Sequence, residues 1–445
     1  MNDGNSWSAA AVCAARPGSA ASHLLQLLAL LLLVSVLAGC KLEVSVPEGG
    51  RVISDNGFVC LAGETCEISI DSTAFDETFS AVADSGYTFG GWREGDAHAC
   101  GGATGDCRMQ TAGFVGIPRL EGLLASDTAT AYLIPVFQTD ATGAGYRYDV
   151  QEWAQFLQRL NSSTHRSDNF IFQVVPDAIN CDPGEITSAA ENRFLYSVNL
   201  IRRLHHLPPV QYEPSFAVQS QKSALVQMAN NYLTHYPSAS DNCYSNGAAA
   251  GARSSNLSYR SSQSDPAYYP LGWVNDNLNL ANRMEAGHRR WVLYPQLGYT
   301  SYGQASGFAS MKVFGFTQQP AEAVSPNVEY IAMPYGNYPY VLVTKGSSRT
   351  PWSLSMVPPP GVSSRFDYFS SATVSVTETA SGTPLEVHSV HRDTKGFGLA
   401  NFLSWMVDGW DYDIPYTVTI RNVRMQDNST RDIQYDVEID YADLQ

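Results

Sequence analysis

Basic side chains are scarce: 27 Lys and Arg stand against 43 Asp and Glu, a net charge of −16 at pH 7 over 445 residues. Nucleic-acid binding needs clustered cations to neutralise phosphates, so this balance excludes that class and favours neutral or cationic partners. Several chemical signatures are missing too. The chain has no GxSxG elbow, no GxxxxGK[ST] phosphate loop, no GxGxxG dinucleotide turn and no HExxH metal helix. No cysteine pair has the CxxC spacing of common zinc knuckles, so structural zinc is the lesser reading of the cysteines.

Long apolar runs are lacking with one exception, Leu24 to Gly39. That run falls short of the roughly 20 residues a spanning helix needs and ends in the small pair Ala38-Gly39. It predicts a cleaved signal peptide over 1–39. Its last residues with the next cysteine, LAGC, resemble the bacterial lipobox. The resemblance implies a lipid on Cys40, which becomes the first mature residue and holds the chain to a membrane. Lys41 follows where an Asp would mark inner-membrane retention, so the expected address is the cell envelope, at the outer membrane or cell surface.

Six cysteines then remain for disulfides in an oxidising compartment: Cys60, Cys66, Cys100, Cys107, Cys181 and Cys243. Their connectivity is open. Grouping along the chain suggests Cys60 with Cys66, Cys100 with Cys107, and Cys181 with Cys243.

Residues 40–138 hold short alternating runs (EVSVPEGGRVIS, CEISID, GYTFGGW, AYLIPVF) between Gly, Asp and Ser, the pattern of a small all-β module. GYTFGGW with its following cysteines resembles the bacterial repeat modules of internalin-like surface proteins, with Trp92 as core. Residues 139–180 read as a connector with a helix across VQEWAQFLQRL, where Trp153, Leu157 and Leu160 recur at helical spacing. From 181 to 320 the pattern turns helical. A capping box, Ser188 with Glu191, opens the first helix, and Pro208 and Pro209 follow its end. Pro214 opens a second, with Val218, Leu225, Met228 and Tyr232 on one stripe and His235 at its end. A third region, WVNDNLNLANRMEAGHRRWVLYP, breaks near Asn277, and strand-like GYTSYG and ASMKVFGF close the segment. Residues 321–445 alternate cleanly in ATVSVTET, PYTVTIRNV and IQYDVEIDY, where Tyr435, Val437, Ile439 and Tyr441 share a face, suggesting an immunoglobulin-like sandwich. Helices first and strands later give an α+β fold class.

ENRFLYSVNLIRRLHHLPPVQYEPSF, the helix with QMANNYLTH, and GHRRWVLYP before GYTSYG together resemble the CAP superfamily of cysteine-rich secretory, venom-antigen and pathogenesis-related proteins. The resemblance implies an α-β-α sandwich whose cleft carries two histidines and two acids. The histidines fall on His235 and His288. The first acid's place, before Asn256-Leu257, is taken by Ser255, and the second becomes Asp276, three residues after Trp273. Two imidazoles could hold a divalent ion such as Zn²⁺, with an acid orienting its water. One turn before His288, Glu285 is a candidate for that role, as is Asp276, although its spacing equally suits a surface ion pair. Arg289 and Arg290 read as complements to a helix C-terminus. The incomplete acid set favours a non-enzymatic envelope protein that binds an extracellular or envelope ligand. A metal-assisted hydrolase of peptides or cell-wall material, using His235, His288 and Asp276, is the alternative.

Overall fold

The computed structural model describes residues 6–8, 40–47, 49–83, 87–126, 128–139, 148–160, 162–316, 328–346, 349–359 and 362–444. Apart from Ser6–Ser8, which pairs as a short strand with Cys107–Gln110, the expected signal segment lies outside the described residues. Contacts divide the chain into two compact units, 1–140 and 141–445. No described helix is long and apolar enough to cross a membrane.

In the first unit, strand Cys40–Ser45 buries every second residue, Cys40, Leu42 and Val44, because side chains of a strand alternate between faces. It lies between Thr65–Ile70 and Thr130–Leu133. Gly50–Ser54, Asp76–Ala83 and Cys107–Gln110 form a second sheet, and Tyr87–Trp92 pairs with Pro135–Thr139. Trp92 is fully buried, its indole N–H donating to the Gly105 carbonyl at 2.8 Å. Disulfides Cys60–Cys66 and Cys100–Cys107 staple this unit. The Cys40 side chain is buried and its sulfur is disulfide-bonded in this full-length chain.

The second unit begins with α1 (Val150–Leu160) and continues with α2 (Ser188–Leu204), β1 (Gln211–Tyr212), α3 (Ala217–Asn230), α4 (Asn246–Arg253), β2 (Ser255–Tyr259), α5 (Tyr268–Asn275), α6 (Gly287–Val292), β3 (Tyr299–Ala305) and β4 (Phe308–Lys312). The strands form one sheet in the order β1-β3-β4-β2. Helix α3 covers one face: Ser220 meets Ser301 and Ser310 meets Ser223, hydroxyl to hydroxyl, at 3.2 and 2.9 Å. So close an approach demands Gly303, where a Cβ would lie 2.2 Å from the Ser220 carbonyl oxygen. On the other face Phe194 of α2 stacks on Tyr302 at 4.2 Å, and Trp273 of α5 donates to the Leu257 carbonyl. The result is a helix-sheet-helix sandwich.

Eight more strands follow: β5 (Tyr330–Met333), β6 (Gly336–Pro339), β7 (Trp352–Met356), β8 (Thr373–Glu378), β9 (Glu386–Asp393), β10 (Phe402–Asp408), β11 (Pro415–Arg424) and β12 (Thr430–Asp440). They form two four-stranded sheets, β5-β7-β10-β9 and β6-β12-β11-β8. On β12, Tyr435, Val437 and Ile439 are buried, whereas Tyr441 lies past the strand end and is exposed. One continuous core runs from Tyr148 through the sandwich to Leu444.

Local expectations need three corrections. Thr187, not Ser188, caps α2, its hydroxyl accepting from the Ala190 N–H at 3.1 Å. The stripe expected on α3 is only partly its buried face: Leu225 is buried, but Val218 and Tyr232 are exposed, and Ser220, Ser223, Ala224 and Gln227 are buried beside Leu225. Helix α3 also stops early, at Asn231 in the left-handed region (φ 54), so His235 sits on the following loop.

Candidate functional site

The His235 loop is pinned to the end of α3 by a reciprocal pair: the Thr234 N–H donates to Gln227 Oε1 at 2.7 Å, and Gln227 Nε2 donates to the Thr234 carbonyl at 2.9 Å. Farther along, the Cys181–Cys243 disulfide ties the chain after this loop to the segment before α2. His235 Nδ1 lies 2.8 Å from the Ala252 carbonyl of α4. A carbonyl only accepts, so Nδ1 carries the proton and Nε2 keeps its lone pair.

Asp276 and His288 meet across the break between α5 and α6. Asp276 takes the left-handed conformation that ends α5 (φ 51), a conformation Asp tolerates better than most residues. One carboxylate oxygen accepts from the backbone N–H of His288 at 3.1 Å, and the other lies 2.8 Å from His288 Nδ1. Asn256 of β2 donates to the His288 carbonyl at 3.0 Å. His288 therefore also presents Nε2. Neither Nε2 has a hydrogen-bond partner among the described residues.

The two imidazoles are pushed apart in basicity. Burial lowers the pKa of His235, the Ala252 carbonyl partly offsets this, and the charge of His288 lowers it further. Burial also opposes protonation of His288, but the charge and hydrogen bond of Asp276 outweigh it and raise that pKa. His288 is near enough for its charge to be felt at His235.

Ser255, in the place of the first acid, is 3% exposed and its hydroxyl has no hydrogen-bond partner among the described residues. Its strand register sets it opposite Lys312, which in turn lies opposite Ser301, so the three share the face that α3 covers. Glu285 does not turn towards His288 to replace the missing acid. It is ion-paired with Lys395 from the C-terminal strands. Arg289 and Arg290 are buried and bond to the C-terminal strands, a role for which helix-end electrostatics gave no hint.

Two Nε2 atoms with their Nδ1 groups fixed by a carbonyl and a carboxylate match the way metal-bound histidines are oriented. The donor types suit a divalent ion: His235 and His288 each offer a free Nε2 that could ligate one, with other positions left to water or ligand. Asp276 is engaged by both the ring and the backbone of His288. Among the described residues the only compact trio of possible metal ligands is Cys60, Glu64 and Cys66, and those cysteines are joined in a disulfide.

A family model matches the segment that carries these residues. The profile of the cysteine-rich secretory protein family, CAP, matches residues 195–318, which run from α2 to the end of the central sheet. No curated protein matches. Among solved structures, an extracellular protein containing a SCP domain from Bacillus anthracis str. Ames is similar, at 13% identity and a TM-score of 0.22, over 54% of this chain and 64% of that one. The present chain thus spans just under two thirds of that protein, a likeness too distant to carry a residue's role across. Residues 195–318, the segment that holds the central sheet together with His235 and His288, match the CAP family and form a CAP domain within this chain.

Proposed function

We propose that this is an exported envelope protein whose CAP cleft binds a ligand or partner through His235 and His288 without hydrolysing it. The observation that carries this reading is the use made of the acids. Ser255 replaces one, Asp276 is spent on orienting His288, and Glu285 is paired with Lys395. A hydrolytic cleft needs a carboxylate placed to take a proton from water. Here the carboxylate contacting His288 fixes an imidazole instead, which suits coordination or hydrogen bonding to a ligand atom. If an ion is bound, its contribution is a positive centre for a ligand oxygen or nitrogen.

The same proposal includes the expected export route and layout. Residues 1–39 are removed, Cys40 is lipidated, 40–138 act as a spacer or adhesive β module, 139–180 as connector, and 321–445 as an immunoglobulin-like sandwich beside the cleft. A lipid on Cys40 requires a free sulfur, whereas the full-length chain holds that sulfur in a disulfide that has to be reduced first. Intact-mass measurement of membrane-extracted protein should show the chain starting at Cys40 with added acyl mass. A longer N-terminus or an unmodified Cys40 rules the anchor out. For the cleft, binding to envelope fractions of the source cell is compared between the soluble wild-type chain and the His235→Ala, His288→Ala double variant. Binding should fall by roughly tenfold or more, the scale on which a site loses its ligating groups. Equal binding by a folded double variant overturns the reading.

A further inference from the structure

We infer that the C-terminal strands are the wall that positions the cleft: the loop from β9 to β10 and the strand β7 set where His288 and Asp276 sit relative to each other. The inference rests on the cleft reading above and extends it to residues outside the matched CAP segment.

Helix α6 has six residues, and the residue before it, Ala286, is left-handed with φ 43. A helix so short has little stability of its own, because nucleation costs more than one turn returns. It is held from outside. Arg290, two residues after His288, sends its guanidinium into the β9–β10 loop. There it bonds the Asp393 carboxylate at 2.8 Å and the carbonyls of Lys395 (2.8 Å), Phe397 (3.2 Å), Leu399 (3.1 Å) and Ala400 (3.1 Å), with its charge 4.5 Å from the centre of the Phe402 ring. Gly398 makes the approach possible. Its φ is +51, and a Cβ there would lie 2.2 Å from the Arg290 carbonyl oxygen. The same loop pairs Lys395 with Glu285, and just beyond it Ser404 donates to the Met284 carbonyl at 2.6 Å. His288 lies inside this clamp.

Asp276 is fixed from the same side. Arg289 donates to the carbonyls of Val274 (2.7 Å) and Asn275 (3.0 Å), the two residues before Asp276. Its other arm reaches the Pro351 carbonyl (2.7 Å) and the Ser353 hydroxyl (2.8 Å) at β7. The Asn275 side chain bonds Thr344 and Thr350, at 2.8 and 2.5 Å. Both ends of the 2.8 Å contact between Asp276 and His288 are therefore anchored in the C-terminal strands. A guanidinium suits this: its planar fork spreads five donors over three nitrogens, whereas a lysine carries its three donors on one nitrogen and cannot span the same set of carbonyls.

The test uses the full chain with histidine labelled with nitrogen-15, free of ligand and metal. The ring Nδ1–H of His288, bonded to Asp276, and that of His235, bonded to the Ala252 carbonyl, are followed together with the thermal midpoint. In Arg290→Lys the His288 ring resonance should shift towards that of a free imidazole or be lost to solvent exchange, while the His235 resonance stays. Asp393→Asn, an isosteric change, should act in the same direction and decides the matter if Arg290→Lys does not fold. Arg421→Ala, which breaks an exposed ion pair with Asp432 in these strands, should change neither. A folded Arg290→Lys or Asp393→Asn whose His288 resonance matches wild type overturns the inference. Because no ligand is present, a cleft that binds nothing leaves this test intact.

Discussion

Lys312 shows what a single substitution in the cleft region does to its neighbours. It is 3% exposed, lies opposite Ser255 on the sheet, and has Ser254 Oγ (3.1 Å), Gln219 Oε1 (3.2 Å) and the Phe216 ring (4.3 Å) around its ammonium group. A carboxylate at position 255 would face this charge; serine does not neutralise it. Burial brings the Lys312 pKa down to about 8. The sign of the linkage follows. The folded state releases this proton more readily than the unfolded chain, so the cost of holding the charge is fully present below the folded pKa. That cost fades as pH rises from there towards the unfolded value of 10.5. Replacing Lys312 with Met should raise stability in urea at about pH 7, and the gain should shrink by about pH 10. A gain that does not change with pH would contradict this picture. The place of Ser255 was legible because the flanking Asn256 and Leu257 keep the family pattern. The isolation of Lys312 was not, since β4 is fifty-odd positions away and its register is a tertiary fact.

At the scale of elements, pattern reading succeeded where burial is apolar and failed where it is polar. The alternation of β12 put Tyr435, Val437 and Ile439 inside, and Trp153 and Leu160 of α1 are buried at their expected spacing. Helix α3 was read only in part because it packs on the sheet largely through small and polar residues, Ser220, Ser223 and Gln227 against Gly303, beside the buried Leu225 and Val226. Helix α1 was expected as a connector without a role, yet it is docked by a buried polar contact. Glu152, 3% exposed, accepts from the Tyr196 hydroxyl at 2.8 Å and from Arg203 at 2.5 Å, both on α2. Removing one member of a buried pair leaves the other charge poorly compensated. Glu152→Ala should therefore cost about 3 kcal/mol of stability by urea denaturation. A loss below about 1 kcal/mol, the range of a surface pair, would show that α1 is not fastened this way.

On the scale of the whole molecule, the sequence carried the α+β class but not the wiring between distant segments. The α+β class could be read from local patterns, and the motifs named both partners of the Asp276–His288 contact. That Glu285 answers to Lys395, and Arg290 to Asp393, could not, because those partners are more than a hundred residues away along the chain. The disulfides fall as their grouping suggested, Cys60–Cys66, Cys100–Cys107 and Cys181–Cys243, since two of the pairs close short loops and the third takes the remaining cysteines. What unites the functional reading is the proposal that the Nε2 atoms of His235 and His288 serve one cleft. Calorimetric titration of Zn²⁺ into metal-free wild type, His235→Ala and His288→Ala measures this most directly. One shared site should be found, weakened by roughly tenfold or more by either substitution alone. Affinities that stay at the wild-type value in both folded variants would contradict a common cleft.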